Sequence, residues 1–298
     1  MRVLRTPDER FQNLPEFDFA PHYVQIGDTR MHYLDEGAGA ETILCLHGEP
    51  TWCYLYRRMT PPLAGRYRVI APDLVGFGRS DKYAAQDDYS FYMHYEKLLA
   101  LIETLELRDL TLVCQDWGGL LGLALAADHS ERFARLVVLN TFLPTGEEKI
   151  SEAFLQWRAF SQKVGTRMQV GRLIAQTISN YELPADIIAA YDAPYPDDSY
   201  KAGAAVFPAL VPISPEMPGA AEMKAARRQL SQWRKPVQVM FSDGDPILGG
   251  AAGFFRRLFP TAAEQPEITI RGAGHFLQEE KGAEIAAEVI AFIERTPR

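Results

Sequence analysis

The chain has 298 residues, 47% of them hydrophobic, and a formal net charge of -8. That balance sustains a large buried core and excludes a disordered chain; acidic overall, with Lys and Arg scattered, it disfavours nucleic acid and anionic membranes as partners. No apolar stretch reaches the roughly 18 residues of a membrane span, the first residues do not read as a signal peptide, and three cysteines without Cys/His metal spacing fit a reduced, cytoplasmic setting.

In chain order, His22 to Ile26 and Arg30 to Leu34 alternate around Gly27-Asp28, which predicts an antiparallel hairpin at a sheet edge. Thr42 to Leu46 and Arg68 to Ala71 are short apolar runs bounded by turn residues and read as buried parallel strands. Phe91, Tyr95, Leu98, Ile102 and Leu105 recur at helical spacing. Thr111 to Cys114 and Arg135 to Leu139 are again strands. From Pro144 to about Pro218 the strand rhythm stops, and Phe154 to Val164 and Val170 to Ile178 carry helical patterns. An insertion of that length between strands predicts an active-site lid, and divides the chain into a core, 1–143 and 219–298, and a helical cap, 144–218. Val237 to Phe241 and Glu267 to Ile270 resume the strands, and Ile285, Val289 and Phe292 mark a last helix. Such alternation predicts an α/β fold, a parallel sheet covered by helices on both faces.

The chemistry centres on Cys114-Gln115-Asp116-Trp117-Gly118-Gly119. An apolar strand leads in, an apolar helix leads out, and small residues follow a reactive side chain, the pattern of a nucleophile elbow. The nucleophile position holds a carboxylate, which attacks carbon and forms an ester. The bland alternative for Asp116 is a helix N-cap. His275, in Gly272-Ala273-Gly274-His275-Phe276, is the candidate base; the alternative is a surface-loop histidine. Asp245 is the candidate acid that orients it, with Asp243 a competitor two residues away. Glu49 and Trp117 offer backbone amides for an oxyanion hole, unless His47-Gly48-Glu49-Pro50 is only a tight turn; Glu49-Pro50 is a candidate cis bond. An indole is a donor only, so Trp117 can hold a leaving anion, and Trp157, in the lid, can bring a second indole over Asp116. Aromatic core packing is the alternative for both.

His47-Gly48-Glu49-Pro50-Thr51-Trp52, Asp73-Leu74-Val75-Gly76-Phe77-Gly78-Arg79-Ser80-Asp81-Lys82, Gln115-Asp116-Trp117-Gly118-Gly119 and Gly272-Ala273-Gly274-His275-Phe276 together resemble the α/β-hydrolase superfamily and, within it, the haloalkane dehalogenases, over almost the whole chain. The resemblance implies a mostly parallel eight-stranded sheet with a helical cap. It implies Asp116, His275 and Asp245 as nucleophile, base and acid, Trp117 and Trp157 as halide ligands, and Phe154, Phe207, Pro208 and Leu248 as apolar pocket walls. Some dehalogenases have Asn where Glu49 stands and a triad Glu where this chain has Asn140; both departures match the branch with an Asp acid and a lid tryptophan. The implied reaction turns a haloalkane and water into a primary alcohol, halide and a proton through an alkyl-aspartate ester. It needs no cofactor and no metal. The implied partners are a small apolar halogenated substrate, water and halide, and a monomer is expected of an enzyme with one complete core.

Three other readings compete. An epoxide hydrolase also uses an elbow Asp, with lid tyrosines such as Tyr181, Tyr191, Tyr195 or Tyr200 on the oxirane oxygen, although Gln115 stands where those enzymes commonly have His. Fluoroacetate dehalogenases carry Arg where this chain has Trp117. A non-catalytic binding protein on this fold has no use for an intact Asp116, Asp245 and His275.

Overall fold

In the computed structural model, which describes residues 1–298, the predicted hairpin forms as β1 (His22–Ile26) and β2 (Thr29–Glu36), with Val24 opposite Met31. The strands that follow are β3 (Thr42–Leu46), β4 (Arg68–Pro72), β5 (Leu110–Gln115), β6 (Phe133–Leu139), β7 (Val237–Ser242) and β8 (Ile268–Ile270). They assemble into one eight-stranded sheet in the order β8-β7-β6-β5-β3-β4-β2-β1. From β8 to β4 every pairing is parallel, and β2 runs antiparallel to both of its neighbours. All six residues of β5 are buried, which is why that strand reads as a continuous apolar run rather than an alternation.

The helices are α1 (Thr60–Ala64), α2 (Phe91–Thr104), α3 (Trp117–Asp128), α4 (Glu152–Val164), α5 (Val170–Thr177), α6 (Ala185–Asp192), α7 (Ala202–Leu210), α8 (Ala220–Leu230), α9 (Ala252–Leu258) and α10 (Leu277–Arg295). Helices α2, α3 and α8 pack together as one layer, and α1 packs on α10 as another. Ser90 and Ser151 cap α2 and α4 by accepting from the amides of Met93 and Phe154, the polar stop that starts an apolar helix. Between β6 and β7 lie α4 to α8 and no strand. A short ribbon that the sequence did not suggest pairs Val3–Leu4 with Lys82–Tyr83.

The Asp73–Lys82 motif is a scaffold. The Asp73 carboxylate accepts from the amides of Cys53 and Arg79, both at 2.8 Å, and lies 2.7 Å from His32 Nδ1. Gly78, at φ +48°, passes so close that a Cβ would stand 2.0 Å from Asp73 Oδ2. Asp81 accepts two bonds from Arg5 and one from the Arg30 amide. The turn therefore ties β2 and β4 to the segment after β3, where one of the predicted oxyanion amides lies.

A second buried network ties α6 to α10. Arg57, beyond β3, pairs with Glu279 of α10 through two bonds of 2.6 and 2.7 Å, and Tyr191 of α6 donates to the same carboxylate at 2.5 Å. Burial pushes the Glu279 carboxyl up, but Arg57 and Tyr191 outweigh it and hold it below its ordinary value. Both charged side chains have no solvent exposure. Glu279→Ala leaves the buried Arg57 guanidinium with only the half-exposed Glu16 carboxylate, at 3.2 Å from Nε, so we expect a loss of about 3 kcal/mol in unfolding free energy, read by urea denaturation.

Candidate active site

Asp116 sits between β5 and α3 at φ 51°, ψ -126°, a conformation that non-glycine residues avoid. Its backbone is held from both sides. Asp116 N–H donates to Asn140 O at 2.9 Å, and Thr141 Oγ1 donates to Asp116 O at 2.7 Å. The glycines around it are explained by close approach. A Cβ on Gly118 would lie 2.1 Å from Leu46 O, one on Gly119 2.1 Å from Thr141 Oγ1, and one on Gly48 2.1 Å from Asp116 Oδ1. The Asp116 side chain does not cap α3, so the N-cap alternative is not what this residue does.

Its carboxylate is instead divided between two partners. Oδ1 accepts from the Glu49 amide at 2.8 Å, and Oδ2 lies 3.5 Å from His275 Nε2. The other ring nitrogen, Nδ1, lies 2.7 Å from Asp245 Oδ2, and Asp245 Oδ1 accepts from the amides of Ile247 and Leu248 at 2.9 and 3.0 Å. Asp243, the competitor, accepts from Gly272 N at 2.7 Å and so joins the two loops without touching the imidazole. Burial draws the His275 imidazole down, but the Asp245 and Asp116 carboxylates outweigh it and push it up to about 10. Burial pushes Asp245 up, and the facing imidazole with the two loop amides brings it below its ordinary value. The Glu49 carboxyl, buried beside Asp116, is raised well above the usual range by burial first and the Asp116 charge second. The Glu49-Pro50 peptide is cis.

These groups open onto a cavity of about 1110 Å³ whose lining includes Asp116, Trp117, Phe154, Trp157, Pro208, Leu248 and His275. The sequence reading missed further apolar lining residues, Phe142, Leu173, Ile178 and Phe254 among them. Phe207 requires a correction. It is fully buried and outside the cavity lining, because its ring packs behind Trp117 at 4.6 Å and against Phe77 at 4.8 Å. Trp52 stacks on Tyr54 at 5.3 Å within the aromatic core, away from the site. Tyr181, Tyr191, Tyr195 and Tyr200 all lie outside the cavity lining, and Tyr181 and Tyr191 spend their hydroxyls on Glu279.

Two polar residues beneath the site were also missed as contacts. Asn140 bridges β6 to the loops after β7 and β8, donating to Ser242 Oγ at 2.7 Å and Gly274 O at 3.2 Å while accepting from Ser242 N at 2.9 Å. Gln115 reaches His275 directly, at 3.0 Å. The only signal for either was an amide side chain at the end of an apolar strand.

Residues 41–282 match the family model described as alpha/beta hydrolase fold. A haloalkane dehalogenase of Psychrobacter cryohalolentis is 46% identical over the full length of both chains. The chain belongs to the haloalkane dehalogenase family. A haloalkane dehalogenase of Mycobacterium marinum is 49% identical over 98% of this chain and all of its own. The structure of a haloalkane dehalogenase from Paraglaciecola agarilytica NO2, described as tetrameric, superposes with a TM-score of 0.91 at 40% identity, covering 98% of each chain. As a haloalkane dehalogenase the protein is a hydrolase that cleaves carbon–halogen bonds, with a halogenated substrate and water as reactants. No helix of this dehalogenase is long and apolar enough to cross a membrane.

Proposed function

We propose that Asp116 is the nucleophile, His275 the base and Asp245 the acid of a two-step hydrolysis in which a haloalkane becomes a primary alcohol, halide and a proton. The observation that carries this reading is the division of the Asp116 carboxylate. Oδ1 is held by the Glu49 amide and Oδ2 is left on the side of the imidazole. Oδ2 attacks the carbon bearing the halogen, the carbon–halogen bond breaks, and the halide leaves toward the indole N–H groups of Trp117 and Trp157, both of which line the cavity. The product is an ester on Oδ2 whose carbonyl oxygen, Oδ1, already rests on the Glu49 amide. His275 Nε2 then takes a proton from water as the water oxygen attacks the ester carbonyl carbon. The charge arises on Oδ1, where the Glu49 amide, joined by that of Trp117, stabilises it. Collapse breaks the carbonyl carbon–Oδ2 bond, the leaving oxygen takes the proton from the His275 imidazolium and departs as the alcohol, and the carboxylic acid left at Asp116 loses the second water proton to solvent, which restores the carboxylate. Asp245 holds Nδ1–H and stabilises the imidazolium that forms.

The same proposal takes 144–218 as a cap over a core of 1–143 and 219–298. Phe154 and Trp157 from α4 and Leu173 from α5 meet Asp116 across one cavity, which supports it. Three free buried cysteines support a reduced, cytoplasmic setting. The epoxide reading has no support from the lid tyrosines, none of which lines the cavity.

The test is product chemistry. Chlorinated, brominated and iodinated alkanes should yield halide and alcohol in equal amounts, and epoxides no diol. Trp117→Phe, which keeps an aromatic ring and removes the N–H, should slow the halide-release step by about 10²–10³-fold, the range for deleting one preorganised donor. Diol formation without halide release, or full activity in Trp117→Phe, refutes the assignment.

A further inference from the structure

Gln115 is fully buried at the end of β5, next to Asp116. Its amide nitrogen lies 3.0 Å from His275 Nε2 and 3.3 Å from the His275 carbonyl oxygen, while its own Oε1 is buried without a partner. The His275 carbonyl decides which way round the amide stands. Turned over, Oε1 would face that carbonyl, acceptor against acceptor, and the NH₂ would lose both acceptors. The amide therefore presents N–H to the ring, and only an unprotonated Nε2 accepts it. A proton on Nε2 sets N–H against N–H.

Three ionisable groups surround this imidazole: Asp245 after β7, Asp116 after β5, and Glu49 after β3. The two aspartates favour the imidazolium, and Gln115 opposes them. We propose that Gln115 is a positioning residue that opposes protonation of His275 Nε2 and favours the tautomer with its proton on Nδ1 toward Asp245 and its Nε2 lone pair available. The proposal rests on His275 being the base. Each increment of neutral ring leaves Asp116 Oδ2 free of an imidazolium, which would blunt it as a nucleophile. Once the ester has formed, the Asp116 charge is gone and the Gln115 N–H is exchanged for the proton of the attacking water.

The experiment compares the native enzyme with Gln115→Met, which keeps the shape and removes the donor, and Gln115→Glu, which replaces it with an acceptor. Imidazole ¹⁵N NMR titration of His275 is set beside the pH profile of single-turnover ester hydrolysis. Hydrolysis requires the neutral ring, so its rate falls below the ring pKa. Losing one neutral hydrogen bond should raise both the ring titration and the acid limb by about one pH unit in Gln115→Met, a tenfold slower hydrolysis on the acid side. Gln115→Glu should move them further in the same direction. A titration that stays in place overturns the proposal, as does one that moves down, which means the carbonyl faces the ring. The NMR arm uses no substrate. A ring titration that rises while the hydrolysis limb stays put upholds the action of Gln115 on the ring and refutes His275 as the base.

Discussion

Replacing His275 with Phe is expected to stop the dehalogenase after one turnover. Alkylation draws on Asp116 Oδ2, the cavity and the indole donors, none of which requires a base. Hydrolysis requires a proton acceptor beside the ester carbonyl, and His275 Nε2 is the ring nitrogen that lies 3.5 Å from Asp116 Oδ2. A phenyl ring fills the space without accepting a proton. One equivalent of halide per chain should be released, and the peptide carrying Asp116 should gain the mass of the alkyl group. Steady-state turnover should fall by at least the 10²–10⁴-fold that a positioned general base supplies. Absence of an adduct with every haloalkane that the native enzyme converts refutes covalent catalysis by Asp116. An adduct on another residue moves the nucleophile.

That experiment targets the part of the site most legible in the sequence. Asp116 could be read because the elbow constrains several residues at once. The strand must end, the chain must turn at positive φ, and Gly118 and Gly119 must let α3 approach Leu46 and Thr141. Asp245 could be preferred over Asp243 from its depth in the loop, and the structure gives the two different partners, His275 and the Gly272 amide. Periodicity found the strands of the sheet because each is a short run bounded by turn residues. It could not separate a residue that lines a cavity from one packed behind the lining. Phe207 on α7 is apolar, buried and adjacent to Trp117, yet it faces Phe77 and His94 rather than the substrate space. The Val3–Leu4 ribbon is too short to leave a pattern. Gln115 was hidden for another reason. In a strand buried on both faces, alternation carries no information about which polar side chain meets which partner, and its partner is 160 residues away.

Asp245→Asn should leave alkylation nearly intact and slow ester hydrolysis by about 10⁴-fold, the scale for a triad acid whose amide no longer enforces the tautomer. Asp245 does two things to the ring: it accepts the hydrogen bond from Nδ1–H at 2.7 Å, and its charge favours the imidazolium. An Asn amide can turn its NH₂ to Nδ1, and the proton then sits on Nε2, the wrong nitrogen for a base. Losing the charge lowers the ring pKa, so the acid limb of the residual hydrolysis should move down in pH, opposite to the shift expected for Gln115→Met. A slow decay of the alkyl-enzyme, followed by mass spectrometry across pH, measures both the rate and the limb. There is also a stability consequence. Because the folded Asp245 carboxyl lies below its ordinary value of 3.8, it stabilises the fold above that pH, and this contribution is lost as pH falls through the lower folded value. The Asn variant should therefore lose less stability than the native enzyme on acidification, although it is the poorer catalyst. An acid limb that rises, or hydrolysis as fast as in the native enzyme, means that the charge facing Nδ1 does not govern the base, and that Asp245 anchors the loop through Ile247 and Leu248 alone.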